Sequence, residues 1–349
     1  MTTAETFPQS TSHPSPTEKG VLYSDYILPD YDGNVDASSV VNLPVQPQGE
    51  YGIAYPQLLS MDDDTNTSYK VVRFEAANPR SDVWVVKDTA WGTQPEGLNT
   101  DVARKLMSMG FNVIIKGPEI GSSLPLSQSA FNTHKVLDYF SSLGYLSAKQ
   151  IAVEGYSRGS MLAFGTNAYA EDFGRNVIYS NLTDPCNALP IRSDLETIKK
   201  GIRLPLDLGL LALAVGHTLT SPGRGKHLSK TADLSREGGK QFIRTGRPLM
   251  SGEAGMMAAR TPLDMHATIA FFRLCGVNDA KTYRQILGDR PNVRFVRPDG
   301  GHGAGIDTKI IGNIALRFGR LADQLSEGRS AAELDYRHIL HGLQLVKSS

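Results

Sequence analysis

The chain reads as an α/β protein, a mostly parallel central sheet with helices on both faces and an inserted cap. Three observations predict this. Apolar strand-length runs alternate with amphipathic helix-length segments between about residues 69 and 187, the pattern of a parallel sheet covered on both sides. A short β-run, Ile151-Ala-Val-Glu, enters Gly155-Tyr156-Ser157-Arg158-Gly159, and a segment rich in Ala, Met and Leu leaves it, which is a strand-turn-helix sequence. The alternation stops from about Ala188 to Arg260 and then resumes, so that stretch reads as an insertion.

Residues 1–20, rich in Thr, Ser and Pro, predict a flexible leader, and residues 21–68 an extended N-terminal wrap. Strands are expected over Tyr69–Glu75 and over the β-branched and aromatic run Asp82–Lys87. Asn99 or Thr100 caps a helix that Gly110 ends, and Phe111–Lys116 is a further buried strand. Ser129–Leu143 places Phe131, Val136, Phe140 and Leu143 near one helix face, with Gly144 as its stop. Asn176–Ser180 is a strand after the turn helix. His266–Cys275 suits a strand or a helix ended by Gly276. Asp279–Leu287 suits a helix, Asn292–Arg297 a strand and Pro298–Gly305 a loop, while Ile310–Leu325 and Ala331–Leu345 read as two closing helices. The core thus comprises 69–187 and 262–349, interrupted by a cap over 188–261.

With 349 residues, 40% of them apolar, the chain can bury a large core. Its formal net charge is zero, so the global balance recruits neither nucleic acid nor an anionic membrane. The two cysteines, Cys186 and Cys275, form no C-x-x-C pair, which fits a reducing compartment. The first residues carry no basic and apolar leader, so a cytoplasmic location is expected. The longest apolar run, 204–219, falls short of a membrane span and contains Asp207. It lies in the cap, where residues 188–260 hold twelve Lys and Arg against six Asp and Glu. Such a lid either accepts an acidic or acylated substrate or is simply a solvated insertion.

The Gly155–Gly159 pentapeptide carries the chemistry. A serine in a sharp, strained turn needs neighbours without side chains two positions before and after it, because the strand and helix backbones close on each other there. Such a turn exposes the Ser157 hydroxyl and leaves the Arg158 N–H at a helix start, ready to stabilise an oxyanion. A serine hydroxyl needs a base, and His302 is the candidate because it lies in the Gly-rich loop Pro298–Gly305, after a β-run near the end of the chain. The other seven histidines sit in the leader, in predicted helices, in the cap or in the tail. For the acid that orients the base, Asp279 gives the chain order Ser, Asp, His. Asp184, after the strand that follows the turn, is the alternative, and Asp299 is read as a turn residue.

Gly155-Tyr156-Ser157-Arg158-Gly159 resembles the nucleophile elbow of the α/β-hydrolase superfamily, Gly301-His302-Gly303 its histidine loop, and Gly276-Val277-Asn278-Asp279 its acid turn. The resemblance spans roughly 69–187 and 262–325. It implies an eight-stranded, mostly parallel sheet, hydrolysis of esters, amides or thioesters through an acyl-enzyme, and no metal or organic cofactor. The His-Gly that usually follows the strand ending here at Lys87 in that superfamily is replaced by Asp88-Thr89-Ala90-Trp91-Gly92-Thr93, so the resemblance leaves the second oxyanion donor to the N–H of Ala90 or a neighbour. The resulting expectation is a carboxylic-ester hydrolase acting on a small-molecule or lipid-like acyl substrate. An acyltransferase on the same triad, or a binding protein that keeps the fold without the chemistry, are the alternatives.

Overall fold

Strand β4 (Trp84–Asp88) shows how the sequence builds the sheet. Trp84 and Val86 pack into one apolar cluster, while Val85, with Val83 just before the strand, packs into a second one on the opposite face. A strand buried on both sides requires a near-continuous apolar run, and the lack of polar alternation in this segment is the result.

The computed structural model describes residues 28, 30–31, 35–42, 54–63, 68–76, 79–88, 101–117, 126–144, 149–185, 257–262, 265–271, 283–284, 286–287, 290, 292–296 and 308–342. One sheet contains β1 (Val35–Asn42), β2 (Ala54–Asp63), β3 (Ser68–Glu75), β4, β5 (Asn112–Lys116), β6 (Gln150–Tyr156), β7 (Asn176–Thr183), β8 (Ala267–Ala270) and β9 (Val293–Val296). Their spatial order is β1-β2-β3-β5-β4-β6-β7-β8-β9. Pairing is parallel from β5 through to β9 and antiparallel among β1, β2, β3 and β5. Parallel neighbours need crossovers, and among the described residues α1 (Asp101–Ser108), α2 (Leu126–Ser142) and α3 (Arg158–Tyr169) supply those from β4 through to β7.

The helices cover both faces. Phe131, Val136 and Phe140 of α2 and Met161 and Phe164 of α3 belong to the cluster that holds Trp84 and Val86. Leu106 and Met107 of α1, with Ile314, Phe318 and Leu321 of α4 (Thr308–Ser326), belong to the other. Gly110 (φ 81°) and Gly144 (φ 74°) stop the chain after α1 and α2 in the left-handed conformation, at the two positions the sequence marks. The ambiguous stretch after His266 contributes strand β8. Two strands, β1 and β2, fall within the segment read as a wrap, and they extend the sheet as an antiparallel edge on β3. The second closing helix expected over Ala331–Leu345 is broken. A Ser330–Glu333 capping box closes a single 3-10 turn, Leu334 is extended, and Asp335 restarts a short helix, α5 (Tyr336–Ile339), by accepting the His338 N–H. Among the described residues, no helix is long and apolar enough to cross a membrane.

His134 joins α2 to α3. It is fully buried, donates from Nε2 to the Thr166 carbonyl at 2.7 Å and stacks on Phe173 with centroids 4.8 Å apart. Burial, and then the nearby Arg175 charge, lower its pKa to about 3. The sign follows directly: above pH 6.5 the imidazole is neutral in both folded and unfolded chains, and below it only the unfolded chain takes up the proton. Stability therefore falls as pH drops from about 6.5 toward 3, with His134 alone contributing a loss of roughly 2–3 kcal/mol by pH 4.5. Urea melts at pH 7 and pH 4.5 should show this loss, and His134→Gln should flatten it.

Candidate active site

The turn between β6 and α3 is built by close approach. A Cβ on Gly155 would lie 2.4 Å from the Gly159 carbonyl oxygen and 2.7 Å from the Ser160 nitrogen, so only glycine lets the strand and helix backbones meet here. Ser157 follows with φ 57° and ψ −121°, a conformation that side-chain-bearing residues rarely adopt and that surrounding bonds must enforce. They do so from three sides. The Ser157 N–H donates to the Thr183 carbonyl at 2.9 Å, the Ser160 N–H donates to the Ser157 carbonyl at 3.0 Å, and the buried Ser160 hydroxyl reaches the carbonyls of Gly155 and Thr183, each at 2.7 Å.

This geometry frees the groups that chemistry needs. Ser157 is half-buried, and its hydroxyl does not cap α3. The N–H of Arg158 opens α3, where first-turn donors lack intrahelical acceptors and carry positive partial charge. Together they place a serine hydroxyl and a helix N-terminus at the carboxyl edge of a parallel sheet, the edge where ligands bind in such folds.

The neighbouring strand end is also strained. Among the described residues, Ser157 and Asp184 are the non-glycine residues with positive φ, at 57° and 52°, and they terminate the adjacent strands β6 and β7. Asp184 is fully buried, and its N–H donates to the Ala270 carbonyl at 2.6 Å, pinning it to β8. Tyr156, half-buried beside Ser157, has its phenol pKa pushed up to about 12, first by burial and then by the negative charge of Asp184. On the other side, Asp88 ends β4 in register with Gly155, buried and accepting the hydroxyls of Thr133 (3.2 Å) and Thr166 (3.1 Å).

Of the residues singled out from sequence, Ser157, Arg158 and Asp184 lie together at this edge. His302, Asp279, Ala90 and Asp299, and nearly all of the 188–261 cap, lie outside the described residues. Strands β8 and β9, which precede Asp279 and His302 in the chain, end on the same edge.

A polar row on the α4 face escaped the sequence reading. Lys87 and Glu154 form a buried ion pair across β4 and β6, Asn181 stands opposite Glu154 in β7, and Arg317 of α4 donates to Asn181 at 3.2 Å. The available signal was a charged or amide side chain near the carboxyl end of each of three apolar strands, Lys87, Glu154 and Asn181. Among the described residues, no group of three or more His, Cys, Asp or Glu is placed to hold a metal ion.

No protein-family model matches the chain, and no curated protein matches it in sequence. Solved structures are similar in fold. A hyperthermophilic esterase from the archaeon Pyrobaculum calidifontis is 15% identical with a TM-score of 0.50, over 86% of this chain and 88% of that one. A mutant of the esterase E40 is 11% identical with a TM-score of 0.50, over 79% and 86%. An acetyl xylan esterase from Paenibacillus sp. R4 is 15% identical with a TM-score of 0.49, over 79% and 89%. The sheet order, the helices on both faces and the two likenesses at a TM-score of 0.50 define the class: the chain has the α/β-hydrolase fold.

Proposed function

We propose that this protein is a serine hydrolase that cleaves carboxylic esters through an acyl-enzyme. The observation that carries the reading is the strained Ser157, wedged by Gly155 between β6 and the open end of α3. Ser157 attacks the acyl carbon, His302 takes its proton and later returns it to the leaving alcohol, and Asp279 orients the imidazole. The N–H groups of Arg158 and Ala90 receive the oxyanion. The esterase activity named for the fold neighbours supports the choice of ester over other acyl bonds.

Chain lengths are compatible with this assembly. His302 follows the end of β9 by six residues, a reach of about 20 Å when extended. The distance across three strand spacings from β9 to β6 is only about 14 Å. Asp279 follows β8 by nine residues and has two spacings to cross. In this reading the 188–261 cap covers the acyl-binding side, and its basic excess favours a small-molecule or lipid-like acyl substrate with acidic character.

A fluorophosphonate probe tests the nucleophile: one probe per chain on the peptide containing Ser157 is expected, and a folded wild type that stays unlabelled rejects the reading. The acid is tested separately. Asp279→Asn should lower kcat by about 10⁴-fold by leaving the imidazole wrongly oriented. Asp184→Asn tolerates positive φ and keeps the backbone bond to Ala270, so it should change kcat less than tenfold. The opposite pattern would move the role of the acid to Asp184.

A further inference from the structure

Arg317 is 7% exposed, and among the described residues it pairs with no carboxylate. Glu154, in register with Asn181 on the adjacent strand, is itself paired with Lys87. A buried guanidinium without a counter-ion is costly, and an apolar side chain would serve better if filling space were its only task. Arg317 hydrogen-bonds the Tyr179 side chain and Asn181, and the second bond leads toward the turn. Nη1 donates to Asn181 Oδ1 at 3.2 Å, Asn181 Nδ2 donates to Thr183 Oγ1 at 3.1 Å, and the Thr183 carbonyl accepts the Ser157 N–H at 2.9 Å and the Ser160 hydroxyl at 2.7 Å. Asn181 and Thr183 are both at most 2% exposed.

We propose that Arg317 is a positioning residue for the nucleophile, registering α4 against the Ser157 amide through Asn181 and Thr183. The inference rests on the ester-hydrolase reading above and deepens it. Helix α4 begins at Thr308, six residues after His302, so whatever sets its position also sets where the segment bearing the base departs. Ile314, Phe318 and Leu321 hold α4 onto the sheet through non-directional apolar contact, which resists separation more than sliding. Directional hydrogen bonds at fixed distances resist sliding. A shift on the order of 1 Å between base and nucleophile is enough to cost about 10²-fold in rate. Arg317 thereby keeps two separately encoded parts of the site in register without touching the substrate.

Arg317→Met keeps most of the volume and removes the donors. It should lower kcat for a p-nitrophenyl ester, and the fluorophosphonate labelling rate of Ser157, by about 10- to 100-fold. KM should stay within about twofold, because substrate contacts are untouched. Thr183→Val keeps the β-branched shape and breaks the same chain at its other end, so it should show the same split, and the double variant should be no slower than the worse single one. Arg317→Lys, which restores a donor, should recover part of the loss. If both single variants melt earlier yet keep wild-type kcat, the row is merely structural and the proposal is overturned. If Arg317→Met does not fold, Thr183→Val decides alone. A wild type inert toward esters rejects the hydrolase reading and this inference with it, whereas an active wild type with a fully active Arg317→Met rejects this inference only.

Discussion

On the proposed reading, Ser157→Ala should lower ester hydrolysis by about 10⁶-fold in kcat, the scale seen when a triad nucleophile is removed. The residual rate should stay above the uncatalysed one, because the Arg158 N–H at the start of α3 still polarises the acyl carbonyl. Stability should barely move. Alanine meets the same backbone strain as serine at φ 57°, and the hydroxyl it removes makes no capping bond. Thermal melts beside initial rates check both halves, and a variant with more than a tenth of wild-type turnover would show that the elbow is not the reacting centre.

Gly155→Ala should be severely damaging for a one-carbon change. The added Cβ would sit 2.4 Å from the Gly159 oxygen, and every near neighbour is backbone, so no side chain can rotate aside. Either β6 and α3 separate or the turn distorts, and an overpacked, immobile contact of this kind costs about 3 kcal/mol or more. Activity falls by a second route. Separation pulls Ser157 away from the Thr183 carbonyl that holds its strained amide, so labelling should slow by more than the lost stability explains. Chemical denaturation and labelling kinetics on the folded fraction test this, and a variant that is stable and labels at the wild-type rate would overturn the close-approach account.

The turn that carries Ser157 was legible as local pattern. The elbow was readable because its requirements are local: glycine where backbones touch, a strand before and a helix start after. The same holds for β4 and β5, whose two-sided burial demands apolar runs, and for Gly110 and Gly144, which no other residue replaces at φ 81° and 74° without strain. The break after Ala331 was missed because hydrophobic period alone continues through it, while the Ser330–Glu333 box and Asp335 decide it by capping.

Long-range register was not legible. That Asp184 would share the strained condition of Ser157, that Lys87 would face Glu154, and that Arg317 would find Asn181 across 136 positions all depend on how β4, β6, β7 and α4 align. A strand signals its burial through the residues it carries, but its offset against a neighbour comes from packing summed over the whole sheet. Composition and motif therefore settled the kind of protein, an α/β chain presenting a serine at a strand end. The assembled sheet alone chose which buried polar groups gather beneath that serine, because a charge inside an apolar core is tolerated only where tertiary contacts supply its partners.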